Sequence, residues 1–250
     1  MAEAAENLIA AGASSAEEPL FTFERYEKKY LMTAKQYRAL RSRLDPLIRP
    51  DLYPESTVCS IYYDTDDFSL IRQSIEKPVY KEKLRLRSYN VPGEDGLVFV
   101  ELKKKFKGIV YKRRVAMTNR QAESWLSGEA PAPEDCQIAR EVSWFLKMNR
   151  PSPKVLICYD RLAYVAISDP RLRITFDRNM RWRDTDLHLP HGDGGAPIVD
   201  PGYVLMEVKI PDAAPLWLAN LLSELKIYPT SFSKYGLTYR ENILQKYFME

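Results

Sequence analysis

The sequence predicts an α+β protein built around an antiparallel barrel or strongly curved sheet, with helices between and after the strands. Two observations carry this reading. Two-residue alternation recurs in seven or eight segments, as in residues 81–89, KEKLRLRSY, where Lys81, Lys83, Arg85, Arg87 and Tyr89 share one parity and Glu82, Leu84, Leu86 and Ser88 the other. Most of these segments follow one another as meanders, and helical spacing is confined to stretches between and after them.

Taken in order, residues 22–31 (TFERYEKKYL) read as a strand with Phe23, Arg25, Glu27, Lys29 and Leu31 on one face. Thr33 is the expected N-cap of a helix over TAKQYRALRSRLDPLI, where Tyr37, Leu40 and Leu44 fall at helical spacing. A second strand, 56–65, ends at DTDDF, where Asp66 is placed to cap a short helix. After the 81–89 strand, residues 97–105 set Val98, Val100 and Leu102 against Phe99, Glu101, Lys103 and Lys105. The Gly108 turn leads into their hairpin partner, 109–117. Helices are expected from Thr118 to a stop at Gly128 and over PEDCQIAREVSWFLKMN. Strands at 154–166 and 171–182 follow, then the loop HLPHGDGGAPIVD. In the strand at 202–210, Val204, Met206, Val208 and Ile210 oppose Tyr203, Leu205, Glu207 and Lys209. Helices near 213–226 and 233–248 close the chain. Nothing after residue 20 marks a boundary, so 20–250 reads as one domain, and the small, acidic stretch 1–19 as a disordered leader.

With 250 residues, 45% hydrophobic and 28% charged, the chain can bury a substantial core. A net charge of +3 points to no particular partner, so any basic character that matters is local. Cys59, Cys136 and Cys158 are odd in number and far apart in sequence, which fits reduced thiols in a cytoplasmic protein. No secretory signal and no run long enough to span a bilayer is read.

The polar parities are unusual. They carry Arg25, Lys29, Lys83, Arg85, Arg87, Lys103, Lys112, Arg114, Arg161, Arg173 and Lys209 against only Glu27, Glu101, Asp177 and Glu207, with Tyr159 beside them. One wet face would give any single strand such a pattern, but solvated faces usually mix both signs with neutral residues. The flanking helices are expected to cover the apolar parities, which turns the cations inward. Crowding cations in a narrow interior costs several kcal/mol per ion, on the order of what only a strongly anionic ligand offsets. Phosphate chains suit: arginine forks grip phosphate oxygens, lysines such as Lys83 and Lys209 add point charge, and the few carboxylates suit Mg²⁺ or Mn²⁺.

The ordered motifs YYDTDDFSL, KLRLR, ELK, YKRRV, MEVK and SFSKYG resemble the triphosphate tunnel metalloenzyme superfamily and, within it, the VTC-type polyphosphate polymerase domain, from about residue 20 onward. The resemblance implies an antiparallel eight-stranded β-barrel with flanking helices, its tunnel lined by basic residues. It implies that Lys29, Arg85, Arg87, Lys103, Lys112, Arg114 and Arg161 contact phosphate, with Tyr159 beside them and Ser233 and Lys234 reaching in from the C-terminal helix. Arg85, Arg87, Lys103, Lys112, Arg161 and Lys234 would carry the catalytic charge stabilisation. Glu207 would hold Mn²⁺ or Mg²⁺, with Glu27 and Glu101 as further candidates to share it.

The implied activity is transfer of the γ-phosphoryl of ATP to a growing polyphosphate chain. Hydrolytic members of the superfamily typically begin with E-x-E-x-K, whereas here RYEKK puts Arg25 first. Fewer carboxylates favour transfer onto a phosphate terminus that is already an oxyanion. The alternatives are a tunnel triphosphatase and a non-catalytic polyphosphate or nucleotide sensor. No nucleic acid is expected, KKKFK reading as solvated lysines beside a turn. In eukaryotic relatives the domain adjoins a phosphate-sensing domain and membrane helices. Here coupling of synthesis to translocation would need a separate membrane partner, with this chain cytoplasmic or peripheral to it. His188 and His191 make an H-x-x-H too poor in ligands for zinc, and the Asp64, Asp66, Asp67 group reads as turn and cap.

Overall fold

A computed structural model describes residues 26–107, 109–211 and 213–248. The expected leader at 1–19, and Arg25 with the start of the first predicted strand, lie outside the described residues. The strands are β1 (Tyr26–Thr33), β2 (Ile48–Asp64), β3 (Tyr80–Tyr89), β4 (Leu97–Phe106), β5 (Ile109–Thr118), β6 (Ser152–Ala166), β7 (Arg173–Arg183), the two-residue β8 (Ala196–Pro197) and β9 (Tyr203–Ile210). The helices are α1 (Ala34–Leu44), α2 (Ser69–Ile75), α3 (Asn119–Ser127), α4 (Gln137–Asn149), α5 (Leu216–Glu224), α6 (Lys234–Thr238) and α7 (Leu244–Phe248), with a π-helical turn between the last two.

All the strands join one antiparallel sheet, in the order β1-β9-β7-β6-β2-β3-β4-β5, with β8 attached to β7. The α+β barrel-like architecture is the one predicted, with one correction. β1 and β5 end the order and do not pair with each other among the described residues, so hydrogen bonds do not close the barrel. The sheet nevertheless curls. The Lys103 ammonium on β4 feels Glu27 and Lys29 on β1, almost the full width of the strand order away.

Helices cover the convex face in two blocks. Leu84, Leu86, Val98, Val100, Leu102, Val115 and Met117, from β3, β4 and β5, pack under α3 and α4 through Trp125, Val142 and Phe145. Met32, Ile174, Phe176, Val204, Met206 and Val208, from β1, β7 and β9, pack under α1 and α5 through Leu40, Leu44, Leu218 and Leu221. Each fully buried leucine here contributes about 1.5–3 kcal/mol by leaving water. Both outermost strands end in a threonine that starts a covering helix. Thr33 and Thr118 each form a capping box with the glutamine three residues on, and Gly128, at φ 83°, stops α3 as expected.

The C-terminal segment does not lie outside with the other helices. Tyr235, Tyr239 and Ile243 pack with Phe68 and Ile71 against Val58, Ile157 and Leu205, residues of the opposite strand parity, and plug part of the concave face. Asp64 fixes this plug. It accepts the N–H groups of Thr65, Leu70 and Ile71 and, at 2.8 Å, the Tyr235 hydroxyl. Asp66, expected to cap α2, instead pairs with Lys154 at 2.7 Å, while Asp67 and Thr65 receive the Ser69 N–H.

Candidate functional site

The remainder of the concave face holds two charged clusters. The first centres on Glu101 of β4. Antiparallel register sets Arg85 of β3 and Arg114 of β5 opposite it. Arg85 donates to Glu101 Oε2 through Nε at 2.7 Å, with Nη2 at 2.6 Å, and the Lys112 ammonium lies 2.8 Å from Oε1. Arg87 stands 3.9 Å from the same carboxylate and donates to Ser60 Oγ at 3.0 Å and Tyr159 OH at 3.3 Å. A further arginine bond, Arg85 Nη1 to Tyr62 OH at 3.2 Å, completes the frame. Burial pushes the Glu101 carboxyl up, but Arg85, Arg87 and Lys112 outweigh it and hold the value at about 2. Glu101 is 1% exposed, sealed beneath its three cations. Arg114 points alongside, its guanidinium 4.4 Å from the Phe99 ring.

The second cluster gathers β1, β6, β7, β9 and α6. Arg161 grips Asp177 with two bonds, 2.7 and 2.8 Å, and reaches Glu207 at 3.2 Å. Lys234, brought in by α6, donates to Asp177 at 2.5 Å and stands 3.7 Å from Glu207. Lys29 lies 3.4 Å from Glu207 and 3.5 Å from Glu27, so one ammonium bridges two carboxylates. Burial raises the Glu207 carboxyl, yet Lys234, Lys29 and Arg161 hold it well below the usual carboxylate range. Asp177 is fully buried.

Tyr159 joins the clusters: its hydroxyl accepts from Arg87, and its ring lies 4.2 Å from the Lys234 ammonium and 5.1 Å from the Arg161 guanidinium. Lys83 and Lys103 face each other across β3 and β4, and among the described residues neither they nor Lys209 forms a carboxylate ion pair. Burial first, then neighbouring Lys81, Lys103 and Lys29, bring Lys83 down to about 8. Lys103 and Lys209 feel Glu27, and Lys209 also Glu207, but only at a distance.

The fold thus assembles Lys29, Lys83, Arg85, Arg87, Glu101, Lys103, Lys112, Tyr159, Arg161, Glu207 and Lys234 on one face. Ser233 is also at its edge, but its hydroxyl accepts the Gly236 N–H and caps α6. Tyr62 and Ser60 were not assigned to the site by sequence, and Asp177 was read as an inward carboxylate without a role of its own. Asp177 did carry a signal, the inward parity of β7, whereas Ser60 and Tyr62 look like ordinary strand residues. The two histidines do not converge on one point: His188 Nε2 lies 3.0 Å from Glu123 and 3.9 Å from Glu94, and His191 pairs with Asp186.

This architecture has known counterparts. A family model, the VTC domain, matches residues 24–241. Subunit 4 of the vacuolar transporter chaperone complex of Schizosaccharomyces pombe is 25% identical over 72% of this chain, and the match spans 31% of that relative's length. A Bacillus halodurans protein solved as a candidate adenylate cyclase shares the fold, with a TM-score of 0.53 at 17% identity, over 89% of this chain and 96% of its own.

Proposed function

The chain belongs to the VTC domain family, and on that premise we propose that it is a metal-dependent polyphosphate polymerase. The concave face would bind ATP and the phosphate chain together. A terminal oxyanion of the chain attacks the γ-phosphorus, the bond to the β–γ bridging oxygen breaks, and ADP leaves. The observation that carries this reading is the pair of arginines on β3. Glu101, Ser60, Tyr62 and Tyr159 hold their guanidiniums in place, leaving further N–H donors for phosphate oxygens. Donors fixed before the reaction need no reorganisation as charge develops in the transition state.

Lys83, Lys103 and Lys209 supply positive charge that, among the described residues, no direct ion pair neutralises, and Lys112, Arg114 and Lys29 extend the same surface. Arg161 and Lys234, locked on Asp177, give the opposite wall a second rigid pair. The carboxylates that suit Mn²⁺ or Mg²⁺ are Glu207 and Glu27, two hard-oxygen donors already sharing a single cation in Lys29. Bound there, the ion would neutralise phosphate charge. We assign Glu101 to positioning the arginines rather than to the metal, because three cations enclose it. A cytoplasmic location and a separate membrane partner belong to the same proposal; among the described residues no helix is long and apolar enough to cross a membrane.

Incubation of the purified protein with ATP and Mn²⁺, with products resolved on a gel stained for polyphosphate and free phosphate assayed in parallel, tests the reading. A ladder of long chains that Arg85→Ala abolishes is the expected result. Orthophosphate without a ladder would make the protein a tunnel triphosphatase. Bound ATP with neither product would make it a sensor.

A further inference from the structure

Away from both clusters, the far end of β3, β4 and β5 forms a protruding tip with an unusual surface. Val79, Tyr80, Phe106, Ile109, Val110 and Tyr111 each leave between 45% and 63% of their surface open. They are contiguous. Tyr80 pairs with Phe106 and Phe106 with Ile109, Val110 lies opposite Lys105, and the Lys107 N–H donates to Val79 O at 3.0 Å. Single exposed apolar residues are ordinary, but six in one patch mark an interaction surface.

Two features indicate what covers it. Lys77, Lys81, Lys105 and Lys107 surround the patch, and among the described residues none of them forms an ion pair with a carboxylate. Lys81 is depressed by burial and by Lys105, Lys103 and Lys77, so these cations crowd one another. Shape is the second feature. By strand parity Phe106, Ile109 and Tyr111 lie on one face of the hairpin and Val110 on the other. A flat protein partner would cover one face only, and a second copy would press like-charged lysines together. A lipid surface surrounds a tip on both faces and offers anions to its rim.

We propose that this tip docks directly on an anionic lipid bilayer. The aliphatic and phenyl groups enter the boundary between headgroups and acyl chains, the two tyrosines sit at headgroup level, and the lysines extend to the lipid phosphates. The surface needs no membrane-crossing segment and no partner protein to act.

Sedimentation with vesicles of phosphatidylcholine and phosphatidylglycerol in equal parts tests this, with excess tripolyphosphate present to fill the concave cations. The protein is expected to pellet with these vesicles and not with phosphatidylcholine alone. Each lysine is worth roughly five-fold in partition, so Lys77→Glu/Lys107→Glu should weaken binding at least about ten-fold. Phe106→Ser/Ile109→Ser should do the same while leaving ATP turnover unchanged, which also reports that the variants fold. The proposal is overturned if the protein ignores anionic vesicles, or if neither double variant alters binding. It is equally overturned if light scattering finds a dimer that Phe106→Ser/Ile109→Ser dissolves, since the patch would then join two copies.

Discussion

The two clusters on the concave face use similar residues to opposite ends. Around Glu101 three cations share one carboxylate, leaving two positive charges in excess. Around Asp177 and Glu207, three cations (Lys29, Arg161, Lys234) meet three carboxylates once Glu27 is included, so the ion-paired charges balance. The single carboxylate of the first is sealed, whereas in the second Glu207 is 12% exposed and Glu27 37%. An excess of fixed cations attracts phosphate. A balanced cluster with reachable carboxylates can exchange an ammonium for a divalent ion. On the proposed function, the phosphate grip therefore falls to the β3–β5 wall and the metal to the β1–β9 wall.

Stability should separate the clusters most. Glu101→Ala removes the only anion among three crowded cations and should cost about 3–5 kcal/mol in urea unfolding. Glu207→Ala should cost about 1–3 kcal/mol, because Asp177 still holds Arg161 and Lys234. Equal losses would remove the distinction. Next in size, Arg85→Ala should lower the rate of chain synthesis by roughly a hundred- to a thousand-fold, the usual cost of one fixed oxyanion donor. Near-normal synthesis would take the arginine out of the mechanism.

The pH dependence of phosphate binding sharpens the first cluster's side. Free Lys83 loses its proton at about 8, and a bound phosphate raises that value. Binding above this pH therefore takes up a proton. Affinity should be constant below it and fall by up to about ten-fold per pH unit above it. Calorimetry with tripolyphosphate should find this slope steeper in the wild type than in Lys83→Met; identical slopes would contradict it. Smallest of all, Tyr62→Phe removes one bond from Arg85, worth about 1 kcal/mol, and should weaken phosphate binding a few-fold.

Sequence made the strand faces legible because parity alone decides them. Leu84 and Leu86 are fully buried on the convex side, and Arg85 and Arg87 point to the concave face, as the parity of KEKLRLRSY foretold. The Thr33 and Thr118 helix starts were expected, and the structure adds the glutamine that completes each capping box. The open seam between β1 and β5 was not, since parity fixes which way a side chain points and says nothing of how far a sheet curls. The first part of β2, Ile48–Glu55, was also missed. It carries Pro50 and Pro54, reads as a loop, and is accommodated by a register shift between Pro50 and Glu55. The C-terminal plug was hidden for a related reason: Asp64 and Tyr235 are distant in sequence, and their hydrogen bond, with the packing of Tyr235, Tyr239 and Ile243, brings Lys234 onto Asp177. Glu101 and Glu207 look alike in ELK and MEVK, and only the neighbouring strands seal one beneath its cations and leave the other partly exposed.

Direct metal binding tests that last difference. Mn²⁺ would be titrated into wild type, Glu101→Gln and Glu207→Gln with tripolyphosphate bound, following the loss of the free-ion electron paramagnetic resonance signal. The expected result is a Glu101→Gln protein that binds Mn²⁺ as tightly as wild type, and a Glu207→Gln protein weakened by about ten-fold or more. Weakening in Glu101→Gln with Glu207→Gln unaffected would reverse the assignment of the two walls.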